Sequence, residues 1–231
     1  LRKSDKIISE IIYNLESWLN DDIPKLYKKK IIDTINNECW NELIEAFYQK
    51  ITFGTNGIRG KMIISENTKN TKNKLNSFHK NGFNSNILRG PNTINEITLL
   101  KYFTGIVRYM KKNNMNTIVV GFDNRVSSKI FAELSIEVFI ANKIKVYFFE
   151  EILPMPELSF SVPFLNADLG IEITASHNEK NYNGFKIIMQ NGSSPSKNEK
   201  DQIKDEIFGN KNKKITTITM KDVKRFDIKN K

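Results

Sequence analysis

Residues 4–19 place Ile7, Ile8, Ile11, Ile12, Leu15, Trp18 and Leu19 at helical spacing, which predicts an amphipathic helix. Asp21-Asp22-Ile23-Pro24 interrupts that pattern. A second helical stretch follows over roughly 25–48, carrying Ile31, Ile32, Ile35, Trp40, Leu43, Ile44 and Phe47. A short strand-like piece then runs into Phe53-Gly54-Thr55-Asn56-Gly57-Ile58-Arg59-Gly60. Residues 65–89 are polar, rich in Asn and aperiodic, and read as a flexible insertion.

From Gly90 the pattern is regular. Residues 94–112 predict a helix, Thr117–Phe122 a buried strand, and 127–142 a helix that Ser127 or Ser128 caps. Ile144–Phe149 is the next strand, and Pro156 opens a short helix over about 157–165. Leu169–Thr174 and Gly184–Met189 complete the strands. Strands alternating with helices of this length predict an α/β fold, a mainly parallel but mixed sheet flanked by helices, preceded by a helical extension. The expected divisions are the extension over 1–50, the sheet domain over 51–196 with its insertion at 65–89, and the start of a linker or helix over 197–231. Sheets of this kind bind ligands beyond the carboxyl ends of their strands, where the loops after Phe122 and Ile173 lie.

The net charge of +10 narrows the partners once its location is known. Residues 65–92 hold 5 basic and 1 acidic side chains, and residues 197–231 hold 11 and 6, so almost all the excess sits there. Lys outnumbers Arg 30 to 6, the reverse of what bidentate phosphate or base recognition favours. No run interleaves aromatic and basic residues as a single-strand binder does. Solvated, compositionally biased loops account for the charge, and no nucleic-acid partner is expected. No apolar run approaches the roughly 20 residues of a spanning helix, so no membrane partner is expected either. The lone Cys39 excludes a disulfide framework and a cysteine-based zinc site. With no apolar signal segment after Leu1-Arg2-Lys3, the expectation is a cytoplasmic piece of a longer protein.

Between two apolar strands, the loop from Thr174 to Gly184 holds Ser176, His177, Asn178, Glu179, Asn181 and Asn183. A polar turn that happens to contain Ser-His fits these residues. A Ser176–His177 hydrolase pair does not, because neighbours in an extended chain point to opposite sides. The Gly-x-Ser-x-Gly elbow is also absent, and His79 lies in the insertion. A serine that carries a phosphoryl group needs cations and N–H donors to spread the transferred charge, and Arg59, Arg125 and Lys186 are the candidate cations. Each also has a structural alternative. Arg59 and Gly60 could end a strand with Gly57 at positive φ, Asp123 and Arg125 could be a surface pair, and Lys186 could be a solvent-facing lysine.

Three segments together carry a resemblance. Phe53–Gly60 resembles the Phe-Gly-Thr-x-Gly-x-Arg-Gly opening of the α-D-phosphohexomutase superfamily of phosphoglucomutases, phosphomannomutases and phosphopentomutases. Gly121-Phe122-Asp123-Asn124-Arg125-Val126-Ser127-Ser128 resembles its Gly-x-Asp-x-Arg-x-x-Ser segment, and residues 171–186 resemble its phosphoserine loop. The resemblance covers roughly 50–64 and 90–195, the first of four domains. It implies that Ser176 exchanges a phosphoryl group with the sugar, with His177 and Lys186 assisting proton transfer. It implies that Arg59 stabilises charge there, while Arg125, Asn178 and Thr174 support the loop.

The implied reaction moves phosphate between C1 and C6 of a hexose, or C1 and C5 of a pentose, through a sugar bisphosphate. The implied partner is therefore a phosphorylated hexose or pentose, with no obligate protein partner. The implied cofactor is Mg2+, to which phosphorylated Ser176 gives one oxygen and a second domain the remaining ligands. Two departures stand out. Glu179 occupies the loop's usual proline position and brings a negative charge near the serine. The Asp-Gly-Asp-Gly-Asp-Arg metal loop, the sugar-selecting loop and the C-terminal phosphate loop do not occur in these residues. The expectation is thus a piece of a mutase, carrying its serine and inactive alone. The alternative is a non-catalytic remnant that binds phosphosugars or a protein.

Overall fold

The computed structural model describes residues 3–21, 23–65 and 68–209. The tail over 211–231, expected to lead towards a further domain, lies outside these residues. The described chain forms two compact units. One holds the residues up to Thr52, Ile58–Thr98 and Ala175–Gly184; the other holds Phe53–Gly57, Leu99–Thr174 and the residues from Phe185 on.

The first unit opens with helices α1 (Lys3–Asn20), α2 (Lys25–Asn36) and α3 (Trp40–Phe47). The single helix expected over 25–48 is two helices. Glu38 takes a left-handed φ of 54°, a common way to end a helix, and Cys39 N–H then bonds back to the Thr34 carbonyl at 3.1 Å. Trp18, Tyr27, Ile31, Leu43, Phe47 and Leu88 form the shared core, with Trp18 edge-on to Phe47 at 6.4 Å.

The segment expected to be aperiodic contains helix α4 (Thr68–Asn81). Its mean polarity hides two buried residues one turn apart, Leu75 and Phe78. Lys74 Nζ donates to Glu42 Oε1 at 2.6 Å and to the Ile64 carbonyl at 2.8 Å. Further on, the Arg89 side chain is only 1% exposed and donates to Glu96 Oε1 at 2.8 Å and to the carbonyls of Phe83, Ser85 and Ile87. Tyr27 Oη also bonds Glu96, and the guanidinium lies 4.0 Å from the Tyr27 ring centroid. A buried cation is tolerated here because its donors find acceptors.

The strands are β1 (Gly57–Lys61), β2 (Thr117–Phe122), β3 (Lys145–Phe148), β4 (Leu169–Ile173) and β5 (Tyr182–Met189). They form one mixed sheet in the order β1-β5-β4-β2-β3. β2 pairs parallel with β3 and β4, whereas β4 and β5 are antiparallel. Ile118, Val119, Val120, Ile171 and Ile173 are fully buried, each contributing about 1.5–3 kcal/mol by leaving water.

In the second unit, helices α5 (Glu96–Lys112) and α6 (Ser128–Ala141) bring Phe103 and Phe139 together, and Phe103 also packs on Phe185 of β5. Helix α7 (Met155–Phe164) packs Leu158 and Val162 with Val119 and Ile188. Ser127 sits at the α6 N-cap without a capping bond from its side chain. Instead, Ser128 Oγ donates to Asp123 Oδ1 at 2.6 Å, which fixes the loop after β2. Helix α8 (Lys197–Phe208) starts with a reciprocal Ser196–Glu199 capping box. No described helix is long and apolar enough to cross a membrane.

Gly57 does not have positive φ, contrary to the expectation. Its requirement is close approach, since a Cβ there would lie 1.8 Å from the Phe185 carbonyl oxygen. Gly184 repeats the constraint, with a Cβ falling 2.0 Å from the Ile58 carbonyl oxygen. The lack of side chains lets β1 and β5 come together.

Candidate active site

The loop from Ala175 to Asn181 belongs to the first unit, as do Arg59 and the residues after β1. Asn181 anchors it. Its carbonyl accepts from Met62 N–H at 2.7 Å and Ile63 N–H at 3.3 Å, and its Nδ2 donates to the Ile63 carbonyl at 3.4 Å. Asn178 N–H returns to the Ala175 carbonyl at 3.2 Å, closing a turn around Ser176. Ser176 is held at φ 58°, an uncommon conformation for a non-glycine residue.

That φ overturns the argument from an extended chain. Ser176 Oγ and His177 Nδ1 lie 3.3 Å apart, because a left-handed residue turns the following side chain back towards its own. Arg59 Nη1 donates to Asn178 Oδ1 at 3.3 Å, so the guanidinium from β1 reaches the same loop. Ser176, His177, Asn178 and Arg59 are therefore brought together. The Lys61 ammonium is hydrogen-bonded to Glu45, which raises its pKa; nearby Tyr182 and Glu179 act in the same direction. Lys61 is thus committed to Glu45 with Glu179 only a lesser influence, and sequence reasoning missed it.

The second unit holds the other expected residues. Thr174 is buried directly after β4. Asp123 accepts from Arg125 N–H at 3.0 Å and from Arg125 Nε at 3.2 Å. Both side chains are largely buried, so the pair braces the loop after β2 and is not a surface pair. Lys186 is not solvent-facing: its side chain is 19% exposed, and Nζ lies 3.8 Å from Glu172 Oε2. Burial pushes the Glu172 carboxyl up to about 7, the Lys186 ammonium opposing the rise and the Asp123 carboxylate adding to it. Sequence reasoning missed Glu172. Its signal was an acid inside the apolar run Leu169–Ile173.

Chemically, the loop offers a hydroxyl, an imidazole beside it and a guanidinium, a set suited to a group that carries and releases a phosphoryl. Among the described residues, no three His, Cys, Asp or Glu side chains gather into a metal-holding group. The described residues therefore hold no ready-made cluster of protein ligands for a metal ion.

A family model for phosphoglucomutase/phosphomannomutase, alpha/beta/alpha domain I, matches residues 75–214. The phosphoglucomutase of Staphylococcus aureus is 35% identical over 182 residues, covering 77% of this chain and 27% of that protein. The Staphylococcus epidermidis phosphoglucomutase is 32% identical over 175 residues, 75% of this chain and 28% of that protein. In three dimensions, a protein described as a phosphomannomutase from Thermus thermophilus aligns with a TM-score of 0.54 at 26% identity. That alignment covers 69% of this chain and 30% of the other. Fold and comparisons together define an α/β/α domain of phosphosugar-mutase type. The chain belongs to the phosphoglucomutase/phosphomannomutase family, within its domain I, and spans about a quarter of the length of the curated relatives it matches.

Proposed function

We propose that this chain carries the phosphoserine step of a phosphosugar mutase that moves phosphate between C1 and C6 of a hexose, or C1 and C5 of a pentose. The observation that carries the reading is the geometry at Ser176, whose Oγ is displayed on a left-handed turn 3.3 Å from His177 Nδ1. In the forward half-reaction a sugar hydroxyl attacks the phosphorus of phosphorylated Ser176. The phosphorus–Oγ bond breaks and Oγ takes a proton, while the sugar hydroxyl loses one. His177 holds the proton at Oγ. In the second half-reaction the bisphosphate returns its other phosphoryl to Ser176.

Arg59, tied to Asn178, stabilises the transferred group's charge, and Arg125 keeps the loop after β2 in place through Asp123. Lys186 supplies a further cation and proton site. The family's magnesium-dependent chemistry requires carboxylate ligands from outside the described residues, with the phosphorylated serine offering an oxygen. The test is incubation of the chain, joined to a domain that supplies the metal ligands, with a radiolabelled hexose 1,6-bisphosphate and magnesium, followed by mapping of the label. Label on Ser176, lost in Ser176→Ala, supports the reading; a chain that binds sugar phosphate without becoming labelled fits the binding remnant.

A further inference from the structure

We propose that Glu172 is the positioning residue of Lys186: its buried carboxyl fixes where the lysine's amine sits. This rests on the reading of Lys186 as part of the phosphoryl-transfer site.

Glu172 and Lys186 are direct cross-strand partners in the antiparallel pairing of β4 with β5. Successive residues of a strand alternate faces, so Glu172 shares a face with Gly170 and Lys186 shares one with Ile188. Gly170 and Ile188 are also partners, and a Cβ on Gly170 would meet Val162 of α7 at 2.6 Å. The acid and the lysine therefore extend an apolar, helix-covered face by one residue pair, towards the carboxyl end of β4. On its other side Glu172 is registered with Gly121 of β2, which offers no side chain, and a Cβ there would lie 2.4 Å from Leu153. The setting gives Glu172 almost no water, and its side chain is 5% exposed.

A carboxyl in that setting needs a partner. Among the described residues its Oε2 has no hydrogen-bond partner, and Lys186 Nζ lies 3.8 Å from that same oxygen. The charged groups facing Glu172 are Lys186 from β5 and Asp123 from the loop after β2. Asp123, the like charge, is committed to Arg125 and Ser128. Lys186 is the cation that opposes the Glu172 charge. The raised pKa of Glu172 agrees with this geometry: near pH 7 it changes charge, and the hold on the ammonium changes with it. An exposed strand lysine would swing through several rotamers. This one is kept in one place by its cross-strand acid.

The experiment uses the full chain and reads Lys186 directly. Competitive labelling with acetic anhydride at a single pH, followed by peptide mass spectrometry, gives the relative reactivity of each lysine. Glu172→Gln is expected to raise the reactivity of Lys186 several-fold as its amine is released, with exposed Lys111 unchanged. An unchanged Lys186 reactivity in a variant with wild-type circular dichroism overturns the proposal. Should Glu172→Gln fail to fold, Lys186→Met provides the reciprocal test by carbon-13 NMR of the Glu172 carboxyl. Its titration is expected to move up by about one unit when the cation is lost, and an unmoved titration overturns the proposal. Transfer of label from hexose 1,6-bisphosphate to Ser176 is measured on the wild-type chain joined to a domain that supplies the metal ligands. Absence of that label with the Lys186 change present contradicts the functional reading while the Glu172–Lys186 pairing stands; label with no change at Lys186 contradicts the pairing alone.

Discussion

The Arg59 guanidinium donates to Asn178 Oδ1 across 3.3 Å, linking strand β1 to the turn that displays Ser176. The two residues are 119 positions apart in the chain, and the contact brings a fixed positive charge to the loop. Arg59→Ala is expected to slow phosphoryl transfer to Ser176 about 100-fold, the scale for removing a donor from a developing charge. Asn178→Ala, which leaves the charge but frees its direction, should fall between that variant and wild type. Initial rates of labelling from radiolabelled hexose bisphosphate check this. Equal rates in all three proteins would remove Arg59 from the mechanism.

Ser176 keeps a left-handed backbone in which a Cβ is a burden. Both Ser176→Ala and Ser176→Gly lose the phosphoryl acceptor, yet they should differ in stability. Glycine relieves the conformational cost, so Ser176→Gly is expected to be the more stable by about 1 kcal/mol after allowing for its greater freedom when unfolded. Urea denaturation of the two variants measures the difference. A less stable glycine variant would mean that the turn is not strained at this position.

Gly57→Ala should destabilise the chain by about 3 kcal/mol, because the new methyl would collide with the Phe185 backbone and force β1 and β5 apart. Thermal or urea unfolding checks this. A cost below about 1 kcal/mol, the lower end of the overpacking range, would show that the strands separate readily at this point.

The Glu172 carboxyl, at about 7 in the folded chain, holds its proton more tightly than the ordinary value of 4.5. Between those values the folded state binds the extra proton, so rising pH favours unfolding. The contribution is complete below pH 4.5, declines as pH climbs towards 7 and is gone above it. Glu172→Gln should therefore lose less stability than wild type between about pH 5 and pH 8 in urea titrations. Parallel losses in the two proteins would place the titration elsewhere.

Strand boundaries were legible because β2 is a continuous apolar run and β4 is apolar apart from Glu172, and runs of that kind flanked by helices predict buried strands of a largely parallel sheet. The site loop was legible from its polarity between two such strands. Less accessible were features that depend on one residue's backbone. Glu38 at φ 54° splits a helix that periodicity alone joins, and Ser176 at φ 58° brings Oγ towards an imidazole that alternation sends the other way. Helix α4 was hidden because only Leu75 and Phe78 show apolar spacing among lysines and asparagines. Glu172 was hidden for another reason. An acid in a strand acquires meaning only once its cross-strand partner is known, and the register that pairs it with Lys186 is a long-range property.

Ser176 is expected to carry the phosphoryl group, and the direct measurement is the location of label after the chain, joined to a domain that supplies the metal ligands, is incubated with radiolabelled hexose 1,6-bisphosphate and magnesium. Label is expected on the peptide containing Ser176, released on addition of unlabelled hexose monophosphate and lost in Ser176→Ala. Label absent from Ser176, or retained in full by Ser176→Ala, would contradict the phosphoserine reading.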